Sequence, residues 1–225
     1  MVSGDNLEIP SVSTDPLTYE KISGLISRQE SVILEIGANN GSASLGLYRS
    51  VLGAKIYCFE PDPRAIQKWL KRKFPDSVQL SQVAIGSVNG RATFYMSDGL
   101  EEKHPEGWDK SGSIRPPKRH LERHPAIKFN RTIDVDVMTL DSWANANNID
   151  IVDFIWADTQ GAEVDLIQGG REVLARTRYF YTEYRDNELY EGQRPLRELM
   201  KMLPEFEILS RYPGDVLFRN RAFPA

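Results

Sequence analysis

The sequence contains a single cysteine, Cys58, among its 225 residues. One thiol excludes an intrachain disulfide and a cysteine-rich zinc site. Its place inside the apolar run "KIYCFE" favours a buried core thiol over a nucleophile. Apolar runs near the ~20 residues that span a bilayer are also lacking. The N-terminus has no basic segment followed by an apolar core, so we expect a cytoplasmic protein with neither a signal peptide nor a membrane partner.

The chain also lacks an excess of positive charge, since its net charge is -4. It therefore has no general attraction for nucleic acid. The basic run "RPPKRHLERH" has no interleaved aromatic residues on which bases would stack, so we expect no nucleic-acid partner. With 40% hydrophobic and 27% charged residues, the composition is typical of a globular domain with a substantial core.

Short apolar runs alternate with helical segments from residue 31 onwards. Strands are predicted over "SVILEI", "AKIYCFE", "VQLSQVAIG", "IVDFIWAD" and "RYFYTEY". Helices are predicted over "SASLGLYRSVLG", "PDPRAIQKWLKRKF" and "EVDLIQGGREVLAR". This alternation predicts an α/β fold of βαβ units on a mostly parallel sheet. The segment "FEILSRYPGDVLFR" predicts an antiparallel hairpin at the C-terminus.

Two regions depart from that alternation. Residues 1–16 predict a loose arm and residues 17–29 a helix, so we divide the chain into residues 1–30 and a domain over 31–225. An insertion over 91–137 begins and ends with half-buried strands, "GRATFYMSD" and "NRTIDVDVMTL". The polar stretch between them carries all three histidines, which are His104, His120 and His124. A connection of this length predicts a functional lid or a disordered segment.

A glycine-rich turn follows the first predicted strand. Glu35 ends the strand, and Gly37, Asn39 and Gly41 follow it. Ligands of open α/β sheets bind beyond the carboxyl ends of the strands, where glycines allow close approach of the backbone. A dinucleotide turn has the spacing G-x-G-x-x-G, but Asn39 replaces the middle glycine. The Glu35 carboxylate would repel a pyrophosphate and attract an ammonium group, which favours S-adenosylmethionine over a nicotinamide dinucleotide.

Two further acids end predicted strands. Glu60 lies 23 positions after Gly37, near the ~20-residue spacing at which an acid binds ribose hydroxyls. Asp158 follows "IVDFIWA", which places it at the same edge of the sheet. Glu163 lies in the first turn of the next helix, where an acid is favoured for structural reasons. We therefore interpret Glu60 and Asp158 as functional residues.

The chain resembles the FkbM-type methyltransferases, which belong to the class I S-adenosylmethionine-dependent superfamily. The resemblance rests on "VILEIGANNGSASL", "IYCFEPDP", "MTLDSW" and "IDIVDFIWADTQGAEVDLIQGG", in this order. It implies a Rossmann-like fold: a seven-stranded, mostly parallel sheet with helices on both faces and a reversed last strand. It also implies methyl transfer, most often to a hydroxyl oxygen of a sugar, natural product or other small metabolite.

The resemblance implies roles for individual residues. The turn that holds the methionine part of the cofactor corresponds to Glu35, Gly37, Ala38, Asn39 and Gly41. The ribose and adenine region corresponds to Glu60, Pro61, Asp62, Ala84 and Ile85, and a serine-rich patch includes Ser113. Asp158 and Gln160 correspond to the motif that faces the methyl group. Many relatives carry lysine two residues before that aspartate, whereas this chain has Trp156, which implies a more apolar acceptor pocket.

The residue that takes the acceptor's proton is left open by the sequence. Asp158 and Glu183 end neighbouring predicted strands, and His120 represents the histidines of the insertion. Tyr184 lies just past the end of the predicted strand "RYFYTEY", so we expect it to line the acceptor pocket. The two acids would act as a base with a raised pKa or as ligands of Mg²⁺. Two carboxylates are few ligands for such a cation, so Mg²⁺ is not favoured and no metal residue is assigned.

Two other functions are less consistent with these residues. A catalytically inactive S-adenosylmethionine-binding module of the same fold is disfavoured because Glu35, Glu60 and Asp158 are all present. A nicotinamide-dependent dehydrogenase conflicts with Asn39 and Glu35. The expected partner is a small hydroxylated acceptor, and the sequence leaves its identity and a homodimeric state open.

Overall fold

The computed structural model describes residues 9–26, 28–99 and 107–224. Its strands are β1 (Val32–Ile36), β2 (Lys55–Phe59), β3 (Val78–Ser81), β4 (Ala84–Ile85), β5 (Gly90–Asp98), β6 (Lys128–Met138), β7 (Val152–Ala157), β8 (Thr177–Glu183), β9 (Phe206–Tyr212) and β10 (Asp215–Asn220). Its helices are α1 (Tyr19–Leu25), α2 (Ser42–Ser50), α3 (Pro63–Leu70), α4 (His120–Arg123), α5 (Leu140–Ala146), α6 (Glu163–Gly169), α7 (Arg171–Ala175) and α8 (Leu196–Met202).

The main sheet has seven strands in the order β3-β2-β1-β7-β8-β10-β9. The pairs from β3 to β8 are parallel, whereas β10 is antiparallel to both β8 and β9. The chain reverses between β9 and β10 at Pro213 and Gly214, and Gly214 has φ +89°, a left-handed conformation that suits glycine. The predicted mostly parallel sheet with a C-terminal antiparallel hairpin is therefore confirmed.

Helices cover both faces of this sheet, as predicted. On β1, Ile33 and Glu35 face one side and Leu34 and Ile36 the other, because side chains alternate along a strand. The first side packs against α1, α2 and α3 through Ile22, Leu47 and Trp69. The second side packs against α5 to α8 through Trp143, Leu166, Leu174 and Leu199.

The predicted strand "VQLSQVAIG" is wrong as one element. Its first half is β3, at the edge of the main sheet. Its second half is β4, which pairs with β6 in a separate three-stranded sheet of order β4-β6-β5. The apolar pattern indicated strand on both sides of Gln82, but it does not encode the change of partner. This second sheet contains the predicted strands of the insertion, and the boundaries at 31, 91 and 137 stay predictions.

Two other elements differ from expectation. The predicted helix "EVDLIQGGREVLAR" is divided into α6 and α7 at Gly169 and Gly170, where the Cβ of an alanine at 169 would lie 2.1 Å from the Gly86 carbonyl oxygen. The predicted loose arm is ordered where it crosses β9, because the Ser13 N–H donates to the Arg211 carbonyl at 2.7 Å. Its first eight residues lie outside the described part.

The polar stretch of the insertion is folded where the structure describes it. Residues 107–127 contain α4 and pack beside β5, with Tyr95 and Ser113 exchanging backbone hydrogen bonds of 2.8 and 3.2 Å. Residues 100–106, including His104, lie outside the described residues. None of the helices in the described ranges is long and apolar enough to cross a membrane.

Candidate active site

Strand register brings the predicted site residues to one edge of the sheet. Four neighbouring strands place Cys58, Glu35, Trp156 and Tyr181 side by side. The residues two positions after these, which lie on the same face, are Glu60, Gly37, Asp158 and Glu183. Three acids and one glycine therefore form a row across the carboxyl ends of β2, β1, β7 and β8.

A cavity of about 280 Å³ opens over this row. The predicted residues that line it are Glu35, Gly37, Ala38, Asn39, Glu60, Pro61, Ala84, Ile85, Ser113, Asp158 and Gln160. Four predicted residues do not line it: Gly41, Asp62, His120 and Glu183. Ligands of open α/β sheets bind at this edge, so the cavity is the candidate active site.

At Gly37, the turn after β1 packs directly against the backbone of Asp158, which follows β7. It has φ +88°, and a Cβ added there would lie 2.0 Å from the Asp158 carbonyl oxygen. The Asp158 N–H donates to the Ile36 carbonyl at 2.8 Å, which holds the two turns together. Only glycine fits this position without displacing the backbone that carries Asp158.

Gly41 packs the same turn against α3. It has φ +76° and precedes α2 as its N-cap, and a Cβ there would lie 2.7 Å from the Trp69 ring. Asn39, with φ +45°, lines the cavity and donates through its side-chain amide to the Asp109 carbonyl at 3.1 Å. The turn is therefore fixed by helix packing on one side and by the insertion on the other.

Glu60 is oriented into the cavity by two backbone hydrogen bonds. The Asn39 N–H donates to one carboxylate oxygen at 2.8 Å, and the Asp62 N–H donates to the other at 2.7 Å. A carboxylate has about four lone-pair sites, so acceptor capacity remains for ligand hydroxyls. Burial raises the pKa of Glu60 to about 8, despite these two bonds.

Glu35 is almost fully buried at 1% exposure. One carboxylate oxygen accepts a hydrogen bond from the Ser44 hydroxyl and a weaker one from the Cys58 thiol at 3.3 Å. Burial raises the pKa of Glu35 to about 7, although the bond from Ser44 opposes this shift. A cation that entered the cavity would favour the charged form, so Glu35 suits an ammonium group.

Apolar side chains form another part of the cavity lining, which we call the apolar wall. Sequence reasoning identified Ala84 and Ile85, and the structure adds Phe59, Val83, Phe94 and Ile114. Phe94 and Ile114 come from β5 and the insertion, so no motif near the glycine turn indicates them. This wall is suited to a flat base, because apolar and aromatic surfaces take up such rings.

Other predicted residues have structural partners. Asp62 is the N-cap of α3, where it accepts the Arg64 N–H at 2.8 Å and pairs with the Arg64 guanidinium. Ser113 lines the cavity, and its hydroxyl accepts the Arg115 N–H at 2.9 Å. Asp109 and Lys110 also line the cavity, and the sequence carried no signal for them.

Asp158 and Glu183 are joined by one side-chain amide. The Gln160 Nε2 lies 2.5 Å from Asp158 Oδ1 and 3.2 Å from Glu183 Oε2. Arg185 pairs with the other Glu183 oxygen at 3.0 Å. Burial raises the pKa of Asp158, and burial together with the Asp158 charge raises that of Glu183 well above its usual range. Such a pair is a candidate to accept a proton from a bound acceptor.

His120 and His124 do not line the cavity. His120 is 3% exposed and packs with His124, Phe129 and Tyr190 at ring-centroid distances of 4.9, 5.1 and 5.3 Å. Burial lowers the pKa of His120 to about 4. Tyr184, interpreted from sequence as an acceptor contact, is instead buried, and its hydroxyl accepts from Arg211 at 2.6 Å. The described residues contain no group of three or more His, Cys, Asp or Glu side chains arranged for a metal ion.

One family model and several known proteins match most of this chain. The family described as the methyltransferase FkbM domain matches residues 35–212. The 2-O-methyltransferase NoeI of Sinorhizobium fredii is 43% identical over 207 residues, which cover 90% of this chain and 84% of that protein. A putative S-adenosylmethionine-dependent methyltransferase from Listeria monocytogenes superposes with a TM-score of 0.48 at 9% identity, over 90% of this chain and 97% of the other. A putative rRNA methylase from Clostridium thermocellum has a TM-score of 0.47 at 9% identity, over 90% and 92%.

Proposed function

The chain belongs to the FkbM methyltransferase family and is an S-adenosylmethionine-dependent methyltransferase, and we propose that its acceptor is a hydroxyl oxygen of a small molecule. The observation that carries this proposal is the acid pair of Asp158 and Glu183, at the edge of the cavity that Gly37 and Glu60 line. The printed activity of the 43% identical relative, a 2-O-methyltransferase, supports transfer to oxygen.

The residues of the cavity fit the cofactor from one end to the other. Glu35 would hold the methionine ammonium, because it is a buried acid in the lining of the cavity. Glu60 would accept the ribose hydroxyls with its remaining lone pairs. The apolar wall around Ile85 and Phe94 would take the adenine. When bound, this group supplies a methyl carbon activated by a sulfonium.

The protein's own chemical task is to orient the acceptor and take its proton. A hydroxyl that gains a methyl group loses its hydrogen, and a carboxylate of the acid pair accepts that proton. Burial keeps the pKa of both acids raised, so the proton is held at the pair and the Gln160 amide keeps the two carboxylates in place. No metal step is needed for this balance.

The acceptor side of the cavity is bounded by aromatic rings. Trp156 lines the cavity, stacks on Tyr19 at 5.9 Å and contacts Tyr181 at 4.7 Å between ring centroids. Tyr19 comes from α1, so the N-terminal helix packs against the Trp156 ring. We infer an acceptor with an apolar face that packs against Trp156.

The proposal is tested by a screen for methyl acceptors. Monosaccharides, short oligosaccharides and phenols would be incubated with the protein and S-adenosylmethionine, and adenosylhomocysteine formation measured. We expect turnover with a neutral hydroxylated ring compound and none with the same compound lacking one hydroxyl. Transfer only to amines would contradict the proposal.

Replacing Glu60 by glutamine should weaken cofactor binding. Hydrogen bonds to a charged group contribute about 1.5–3 kcal/mol, so at a pH above the raised Glu60 pKa of about 8 we expect roughly a ten- to hundredfold loss of adenosylhomocysteine affinity in calorimetry. The matched control is Asp153→Asn, because Asp153 is also buried and accepts a backbone N–H, from Val32 at 2.9 Å, but lies outside the cavity. Equal losses in both variants would remove the role of Glu60.

Cofactor binding should release protons near neutral pH. The pKa of Glu35 is about 7, so about half of this side chain is protonated at pH 7 before an ammonium group arrives. We expect the Glu35→Gln variant to release about half a proton fewer than the natural protein when adenosylhomocysteine binds. Calorimetry in buffers of different ionisation enthalpy measures this difference. Identical release by both proteins would show that Glu35 does not meet the ammonium.

The same acids set the pH dependence of the ligand-free protein. The pKa values of Glu35 and Glu60 are about 7 and 8, above the 4.5 of an unperturbed glutamate. Between pH 4.5 and about 8 the folded state therefore binds more protons than the unfolded state, so the free energy of unfolding decreases as the pH rises through this range.

A further inference from the structure

The Tyr190 side chain connects the acid pair to the insertion. Tyr190 is 1% exposed and lies in the loop between β8 and α8. Its hydroxyl is 3.0 Å from Gln160 Oε1 and 2.8 Å from the Ser111 carbonyl oxygen. The single phenol hydrogen therefore has two acceptors within reach, Gln160 Oε1 and the Ser111 carbonyl oxygen. Ser111 directly precedes Gly112 and Ser113, which line the cavity.

Gln160 has a complete set of partners only in one orientation of its amide. In that orientation the two N–H groups point at Asp158 and Glu183, and the carbonyl oxygen accepts from Tyr190. The two ends of a primary amide have nearly the same shape, so its neighbours decide the orientation. Without the phenol, the carbonyl oxygen loses this donor, and only the two carboxylates still hold the amide.

Tyr190 packs against the turn that carries Gln160, and its loop is hydrogen-bonded to the insertion. A Cβ at Gly161 would lie 2.5 Å from the Tyr190 Cβ, so the ring packs directly on the turn that carries Gln160. Gln160 itself has φ +52°, a left-handed conformation that is uncommon outside glycine. Residues of the loop also pair with the insertion, where the Lys118 and His120 N–H groups donate to the Leu189 carbonyl at 2.8 and 3.1 Å.

We propose that Tyr190 is a positioning residue that fixes the Gln160 amide so that both of its N–H groups point at the Asp158 and Glu183 carboxylates. The inference rests on the proposed role of this acid pair. Other titratable groups around the pair and around Tyr190 are Glu163, Tyr181, Arg185, Asp215 and His120. Of these, Arg185 alone places a cation beside Glu183, on the oxygen that Gln160 leaves free.

The test is a titration of the two carboxyl groups in the protein saturated with adenosylhomocysteine. Carbon-13 resonances of the side-chain carboxyls would be assigned with Asp158→Asn and Glu183→Gln and followed against pH. In Tyr190→Phe, which keeps the ring and removes only the hydroxyl, we expect the midpoints of the pair to rise by roughly one pH unit, about the worth of one hydrogen bond. Gln160→Ala should give a similar rise.

A double-mutant cycle shows whether Tyr190 acts through Gln160. In the Gln160→Ala background, Tyr190→Phe should cause no further rise, because the two effects share one path. Tyr184→Phe is the matched control, since it removes a buried phenol bonded to Arg211 outside the cavity, and it should leave both midpoints unchanged.

Two results would overturn this inference. One is a Tyr190→Phe variant whose carboxyl titration coincides with that of the natural protein while only its melting temperature falls. The other is a rise of equal size in the Gln160→Ala background. Failure of adenosylhomocysteine to bind would instead count against the proposed function, and full transfer activity after both acids are replaced would remove the proposed role of the acid pair.

Discussion

Replacing Gly37 by valine should abolish binding of adenosylhomocysteine. The left-handed φ of +88° is strained for any other residue, and the first added carbon would lie 2.0 Å from the Asp158 carbonyl oxygen. The turn must move away from β7, and the cavity between Glu35 and Asp158 changes shape. Misplacing binding groups by on the order of 1 Å can cost about a hundredfold, so we expect at least that loss of affinity.

The matched control is Gly53→Val. Gly53 has φ +77°, nearly the same conformation, but an added Cβ there has no heavy atom within 4 Å. This variant carries the backbone strain without the collision and lies outside the cavity. We expect lower thermal stability in both variants and loss of binding in Gly37→Val alone. Tight binding by a folded Gly37→Val protein would show that the turn does not hold the cofactor.

Removing the charge of either member of the acid pair should stop methyl transfer. A positioned general base contributes about 10²- to 10⁴-fold, so we expect Asp158→Asn and Glu183→Gln to lower kcat by at least about a hundredfold with the acceptor found by screening. Neither group is proposed to hold the ribose, so the KM for S-adenosylmethionine should change much less. Steady-state kinetics with both substrates varied gives this separation.

The rate of methyl transfer should decrease as the pH falls, because the acid pair must be ionised to accept a proton. The pKa values of both acids are raised, so the ionised form that accepts a proton is lost as the pH falls through a higher range than for ordinary carboxyls. Asp153→Asn serves again as the control, because it removes a buried acid from the opposite end of β7. Full kcat in both pair variants would remove the acids from the mechanism.

Much of the site was predictable because it depends on strand ends. The apolar runs of β1, β2 and β7 fixed where Glu35, Glu60 and Asp158 emerge, and parallel pairing brings such ends together. The same reasoning placed Asp158 and Glu183 on neighbouring strands, as the structure has them. These residues follow from local pattern and one topological rule.

The remaining features depend on contacts that no local pattern records. β4 leaves the main sheet to pair with β6, more than 50 positions away, and this pairing brings Phe94 and Ile114 to the cavity. Tyr190 reaches Gln160 from a loop 30 residues further on. The predicted contact of Tyr184 with the acceptor was wrong because strand alternation turns this ring into the core.

The most direct measurement is a crystal structure of the protein with adenosylhomocysteine bound. The account predicts the ribose hydroxyls on the Glu60 carboxylate, the amino group on the side of Glu35, and the sulfur directed toward the space beside Asp158 and Glu183. A ligand bound with its ribose away from Glu60, or with its sulfur facing away from the acid pair, would contradict the account.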